Sequence, residues 1–294
     1  MNTFTVFFFY IFPPLVLILG LFGNIFGYYL LKRPKMSEIG PRNTYKFLFS
    51  LDTINLIQII VNYLQFSFKT DITIISNVSC RLWMFINYSL ATPSSMCLVY
   101  ISIDRYISIK LPAKRYFLRK RNNQFIFITF IIVFNLIFYL PVVYSFSIFS
   151  TTNTTLCNFN DDFSQSLVSY MDLAIRVCLP AFLITAFSIL LGIEVIKSQR
   201  RILANFQKEE NQYYFNEIRM ALSSIWMNII YVSLQLPVSI YSFVPEYYLL
   251  DSYMVTYYLY YLSYGINFYA LLFFNSLFNS ELISFLKTKL CCKF

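Results

Sequence analysis

Charged and strongly polar residues that sit inside long apolar runs are the chemical resource of this chain. Asn24, Asp52, Asp104, Arg105, Asp172, Arg176 and Asn267 all lie within such runs. A polar group placed there is costly unless it is paired or used, so each calls for a partner or a role. Asp172 and Arg176 are four apart, the spacing at which an acid and a following base meet on one helical face. Histidine is absent altogether, which removes the commonest metal ligand and the commonest general base. The six cysteines form no Cys-x-x-Cys pattern, and Cys291 and Cys292 are neighbours at the tail, so neither a zinc site nor a redox pair is indicated. This inventory suits ion pairing and recognition. It does not suit covalent or acid–base catalysis, and the chain is not expected to be an enzyme.

The elements that must hold these residues are apolar helices. Of 294 residues, 58% are hydrophobic and 13% charged, with a mean hydropathy of +0.59; a soluble domain of this size needs far more charge to cover its surface. Seven apolar blocks stand at about 6–31, 44–68, 80–109, 122–148, 167–196, 218–244 and 253–276, lengths that suit helices crossing a hydrocarbon core. An amphipathic tail, about 277–290, has Phe278, Leu282, Phe285 and Leu286 at helical spacing, with Asn279, Glu281 and Lys287 on the side that would face water. It reads as a short helix lying on the membrane surface. The expected fold class is all-α, a seven-transmembrane-helix bundle in which 1–294 is a single domain without internal repeats.

The 23 Lys and Arg against 14 Asp and Glu leave a net charge of +9, and their positions point to a lipid bilayer and not to nucleic acid. Odd-numbered connections are basic: Lys32, Arg33, Lys35 and Arg42 in the first; Lys110, Lys114, Arg115, Arg119, Lys120 and Arg121 in the third; Lys197, Arg200, Arg201 and Lys208 in the fifth. Even-numbered connections carry only Lys69 and Arg81, opposed by Asp71, Asp161, Asp162, Glu246 and Asp251. The first run, Val6 to Leu31, is too long for a signal-peptide core, and its cations follow it. Seven crossings with the N-terminus extracellular put every basic loop in the cytoplasm; six or eight would not. A multi-pass protein of the plasma membrane is expected.

Several motifs then fall into one pattern. Gly23-Asn24 stands in block one, Ser50-Leu51-Asp52 in block two, and Asp104-Arg105-Tyr106 closes block three, with Pro112 following. The set resembles the rhodopsin-like G-protein-coupled receptor family, from about residue 10 to 292. Pro180 in helix five, Pro237 in helix six and Asn267-Phe268 in helix seven stand where that family has its prolines and its Asn-Pro pair. The Asn-Phe variant is similar to invertebrate neuropeptide and FMRFamide-type receptors. The resemblance implies a disulfide between Cys80, 25 residues before Arg105, and Cys157, the lone cysteine of the second outer loop. It also implies a switch in which Arg105, with Asp104 and Tyr106, pairs with Glu217 at the inner end of helix six until that helix swings about Pro237 and a heterotrimeric G protein docks. The chain departs from the family at Gln235, where a Trp is usual, and at Ser188 and Leu271, where tyrosines are usual. A receptor-like protein with weak or lost coupling is therefore the alternative. A transporter would need ionisable residues along a path and inverted repeats, and only Asp52 is a central carboxylate.

Ligand classes can be tested at single positions of the same pattern. Amine receptors resemble one another in an Asp 18 residues before the Arg, which here is Asn87; opsins need a Lys six residues before the helix-seven Asn, which here is Tyr261. A Schiff base to retinal cannot form. Asn87, Tyr88, Asp172, Arg176, Gln235, Ser239, Tyr257 and Tyr261 are expected to line an outer pocket for an extracellular ligand of peptide character. Within it Arg176 would present its fork to a carboxylate or an amide carbonyl while Asp172 holds the guanidinium. Asp52, with Asn24, Ser94, Ser263 and Asn267, forms the polar core where the family holds a sodium ion; no other cofactor or metal is indicated. Asn153-Thr154-Thr155 is the expected glycan site. Cys291 and Cys292, beside the surface helix, are expected palmitoylation sites.

Overall fold

In the computed structural model the chain is described over residues 6–38, 40–68, 72–150, 155–204, 208–241 and 250–291. Within these ranges the side chains at 37–38, 66, 72, 115, 201–204, 208–217, 241, 250–254, 276 and 288–291 are not described. Helix α1 is Phe12–Leu30, entered through a π-helical turn at Phe7–Ile11; α2 is Arg42–Phe68, α3 Asn77–Lys110 and α4 Arg121–Phe138. A hairpin of β1 (Phe146–Ser150) and β2 (Thr155–Phe159) follows, with Ile148 opposite Cys157. Helix α5 comprises Asp162–Asp172, a π-helical stretch Leu173–Cys178, and Leu179–Ala204; α6 is Lys208–Tyr241, α7 Leu250–Phe274 and α8 Ser276–Cys291.

The distribution of polarity is the reverse of a water-soluble protein's. Phe182 and Phe273 are 71% and 86% exposed and Ile18, Phe22, Phe130 and Ile189 also face outward, while Asn24, Asp52, Ser94, Arg105, Asn228 and Asn267 are buried. In hydrocarbon the side chains of a bundle point their polar groups at one another, because nothing outside can satisfy them. The segments Phe7–Leu30, Arg42–Gln65, Arg121–Ser145, Asp162–Arg200 and Ile218–Ile240 are each long and apolar enough to cross a membrane. Val255–Phe274 taken with Leu277–Lys287 makes a sixth.

Helix ends follow local chemistry. Ser76 caps α3 by accepting from the Ser79 amide at 3.0 Å, and Asp161 caps α5 by accepting from that of Ser164 at 2.7 Å. Three expectations are corrected. Block four was read as helical to residue 148, but α4 ends at Phe138. Pro141 has no amide hydrogen to continue the ladder, and the alternating Phe146–Ser150 segment pairs as a strand. At their inner ends α5 and α6 run further than the apolar blocks, to Ala204 and from Lys208, because neither Gly nor Pro interrupts the polar residues there. On α8, Glu281 does not face water. It is buried, 3.2 Å from both Arg33 and Lys35, and its carbonyl accepts from Arg33 at 2.9 Å. Asn275 starts α8 by accepting from the amides of Leu277 and Phe278, and the chain bends there by 93°.

Helices α1 and α7 meet backbone to backbone. A Cβ on Gly20 would lie 3.0 Å from the Gly265 Cα and 2.6 Å from Leu56 Cδ1, the close approach that small residues permit in membranes. Gly20→Val is expected to lower stability by about 1–3 kcal/mol, the usual cost of overpacking. Gly192→Ala, where a Cβ meets nothing within 4 Å, should raise it by about 0.5–1 kcal/mol through helix propensity. Denaturation midpoints of the purified protein in detergent check both. A Gly20→Val protein as stable as its parent would mean that the two backbones do not touch.

Candidate functional site

Helix α3 carries one member of each of three polar clusters: Asn87, Ser94 and Arg105. At 1.5 Å per residue they lie about 10 and about 16 Å apart along its axis.

The outer cluster surrounds a cavity of about 300 Å³ whose lining includes Asn62, Trp83, Asn87, Tyr88, Phe146, Asn158, Asp172, Arg176, Tyr257 and Tyr260. Cys80 and Cys157 are bonded, with their Cα atoms 5.7 Å apart, which ties β2 to the outer end of α3 beside it. Arg176 Nη2 pairs with Asp172 Oδ2 at 2.6 Å, and its guanidinium carbon lies 5.2 Å from the centre of the Tyr260 ring. Asp172 also accepts from the Tyr139 hydroxyl at 3.3 Å. Arg176 belongs to the widened part of α5, where the Leu179 amide reaches back to the Ala174 carbonyl, and Asp172 stands immediately before it. Pro180 next in line has no amide hydrogen, so the ladder must reorganise just before it. Of the residues expected in this pocket, Asn87, Tyr88, Asp172, Arg176 and Tyr257 line it. Gln235, Ser239 and Tyr261 do not. Tyr261 is buried one layer behind, bonded to Asn62 at 3.0 Å and to Tyr257 at 3.1 Å. Gln235 points to Ser263 at 2.9 Å, and Ser239 is satisfied by the Gln235 carbonyl at 3.0 Å.

The middle cluster joins three helices at one carboxylate. Asp52 Oδ1 accepts from the Ser94 hydroxyl, and Oδ2 accepts from Asn267 Nδ2 at 2.8 Å; all three residues are buried. Ser263 and Asn24, expected in the same cluster, are bonded elsewhere: Ser263 donates to the Tyr260 carbonyl at 2.6 Å, and Asn24 to that of Tyr264 at 3.0 Å. Oδ1 of Asn267 is buried with no hydrogen-bond partner among the described residues.

At the inner end Arg105 is fully buried. It lies 3.1 Å from Asp104, and its Nη1 faces the Met220 sulfur of α6 at 3.7 Å. The Tyr106 hydroxyl accepts from Lys110 at 2.5 Å, and its ring lies against Phe187 of α5. The Glu217 side chain lies outside the described residues, as do those of Asn153, Cys291 and Cys292. Sequence reasoning missed a second cation here. Arg119 folds back from the third connection to lie 3.7 Å from Asp104 and donates to Ser108 at 2.8 Å. Gly40 leaves it room, since a Cβ there would sit 2.1 Å from Arg119 Nε. Gln124 fastens the first and third connections together by donating to the carbonyls of Gly40 and Arg119, both at 3.1 Å. Nothing in a run of six cations marks the one that turns inward. A third missed residue, Asn228 of α6, donates to Ser102 and to Ser188, each at 2.8 Å.

Residues 40–279 match the 7 transmembrane receptor (rhodopsin family). The chain belongs to that family. No curated protein matches it. In this rhodopsin-family receptor the match begins at Gly40 and ends at Asn279, narrower than the stretch from 10 to 292 over which the motifs suggested a likeness. It contains all three clusters. Helix α1 precedes the match and is tied to it through Gly20 and Asn24.

The middle cluster yields a test of packing. Asn267→Leu leaves one Asp52 oxygen without a donor and should cost the receptor about 1–3 kcal/mol. In an Asp52→Asn background the same change should cost less, and the difference between the two losses is a coupling of about 0.5–3 kcal/mol. Thermal denaturation of the four proteins measures it; strictly additive losses would mean that the two side chains do not interact.

Proposed function

We propose that this receptor is a plasma-membrane signal transducer that binds an extracellular ligand in the outer cavity and activates a heterotrimeric G protein. On this reading the single domain 1–294 crosses the bilayer seven times with its N-terminus outside. Helix α3, too polar to count as a span by apolarity alone, is included because its polar residues face other helices, and α8 lies on the inner surface. The basic first, third and fifth connections support that orientation. Amide and phenol groups around the cavity favour a peptide ligand, in keeping with the resemblance to invertebrate neuropeptide receptors. Nothing in the donor set suggests catalysis. A glycan on Asn153 and palmitate on Cys291 and Cys292 complete the reading.

The burial of Arg105 is the observation that carries it. A guanidinium covered by Met220 of α6 can meet a cytoplasmic partner only after α6 moves, and Pro237 gives that helix a place to bend. Asp104, Arg119 and Glu217 hold the closed state, and ligand in the outer cavity shifts the population toward the open one. Replacing Arg119 or Glu217 by Ala in receptor reconstituted with G protein should raise ligand-independent nucleotide exchange. The rise should be about fivefold, as expected for about 1 kcal/mol of lost restraint, and Arg105→Ala should abolish exchange. Rates identical to the parent in all three variants, at matched receptor density, would end this reading.

One observation favours the alternative, a receptor-like protein with weak coupling. The bonds from Asn228 to Ser102 and Ser188 tie α6 to α3 and α5, at a place where the family's tyrosine supports the open arrangement. Low exchange that Asn228→Ala restores would identify this restraint.

Asp52, Ser94 and Asn267 also fit a sodium ion. They supply a carboxylate, a hydroxyl and an amide oxygen that lacks a donor, the oxygen ligands a hard cation takes. An ion there would neutralise Asp52 and hold α2, α3 and α7 together. Replacing sodium by choline at constant ionic strength should lower the denaturation midpoint of the receptor and leave that of Asp52→Asn unchanged. Indifference of both proteins to sodium rules the ion out.

A further inference from the structure

We propose that the outer cavity is built for a ligand that ends in a carboxylate, held by the unused edge of the Arg176 guanidinium. The proposal rests on the reading of that cavity as the ligand site and adds the chemical class of its occupant. A guanidinium carries five N–H donors in a planar fork. Asp172 takes Nη2 at 2.6 Å, and the Tyr260 ring covers a face. Nε is buried with no hydrogen-bond partner among the described residues, although the side chain borders the cavity. An unmet donor on a charged group in such surroundings is costly, and a carboxylate brought to the guanidinium would satisfy it with a charge-assisted bond.

The charges around the cavity favour an anion over a cation. Among the described lining residues Asp172 is the one acid and Arg176 the one base. Both are described, and the acid is already occupied by Arg176 and by the Tyr139 hydroxyl. An ammonium ligand would have to displace Arg176 from Asp172 and then sit beside it. A carboxylate displaces nothing, and the carboxamides of Asn87 and Asn158 can turn donors toward it. At about 300 Å³ the space lies at the small end of ligand pockets. It therefore suits the terminus of a longer molecule, with Trp83 and Tyr88 beside it to receive an apolar or aromatic neighbour.

Two probes that differ only at this group test the idea: N-acetyl-phenylalanine and its amide, titrated against the purified receptor by thermal shift without G protein. The acid is expected to bind about tenfold more tightly than the amide, the gain of about one charge-assisted bond. Arg176→Gln should erase the preference, and Arg176→Lys, which keeps the charge without the fork, should keep only part of it. Asp172→Asn removes the resident anion and should enlarge the preference, so it answers the question even where Arg176→Gln does not fold. Equal binding of acid and amide, a preference that survives Arg176→Gln, or one that shrinks in Asp172→Asn would overturn the assignment. Because coupling is not measured, failure here leaves the signalling proposal standing, and failure of nucleotide exchange leaves this one standing.

Discussion

A carboxylate in the middle of an apolar bundle is the constraint around which the helices are arranged. Asp52 has no water to turn to in hydrocarbon, so its two oxygens must be met by neighbours. Ser94 and Asn267 meet them, and in doing so bring α2, α3 and α7 to one point. The rest of the central packing accommodates that convergence. Gly20 and Gly265 let α1 lie directly on α7, and Asn24 uses the Tyr264 carbonyl one turn from Asn267. An apolar residue at position 52 would allow the same helices to slide. The acid restricts them to the one arrangement in which both donors reach it.

The same rule shapes both ends. Outside, Arg176 and Asp172 neutralise each other at the start of the widened stretch of α5, with Tyr139 and Tyr260 packed around them. Inside, Asp104 is shared between Arg105 and Arg119. Between the ends, polar bonds take positions that aromatic side chains occupy in the wider family: Gln235 to Ser263, and Asn228 to Ser102 and Ser188. A hydrogen bond has a narrow distance range, whereas aromatic packing yields gradually. Movement of α6 in this receptor would therefore break discrete bonds.

Much of this was legible in advance where the signal is local. Hydropathy marks the apolar blocks because each helix has to face lipid by itself. The family resemblance implied the Cys80–Cys157 bond and the meeting of Asp52 with Ser94 and Asn267, whereas Asn24 and Ser263 are bonded elsewhere. Reading failed where the decision was not local. An apolar run does not say whether it is helix or strand, so the fourth apolar block reaches residue 148, although Phe146–Ser150 pairs with Thr155–Phe159 as a strand. Glu281 looked like a water-facing residue on an amphipathic helix, but it is buried by Arg33 and Lys35, some 250 residues away in the chain.

The sequence by itself determined the class of the protein and the identity of its costly buried groups, since both follow from the transfer of side chains between water and lipid. Only the tertiary structure decided who partners whom. Arg119 reaches Asp104 from the basic third connection, and Gly40 leaves a space for it. Tyr257 borders the cavity and Tyr261 lies behind it, although both are tyrosines one turn apart on α7. Ser263 serves Gln235 and not Asp52. Such choices depend on how helices rotate and approach one another, and a rotation of a few tens of degrees moves a side chain from one neighbour to the next. That rotation is set by the sum of all contacts and is written in no single stretch of residues.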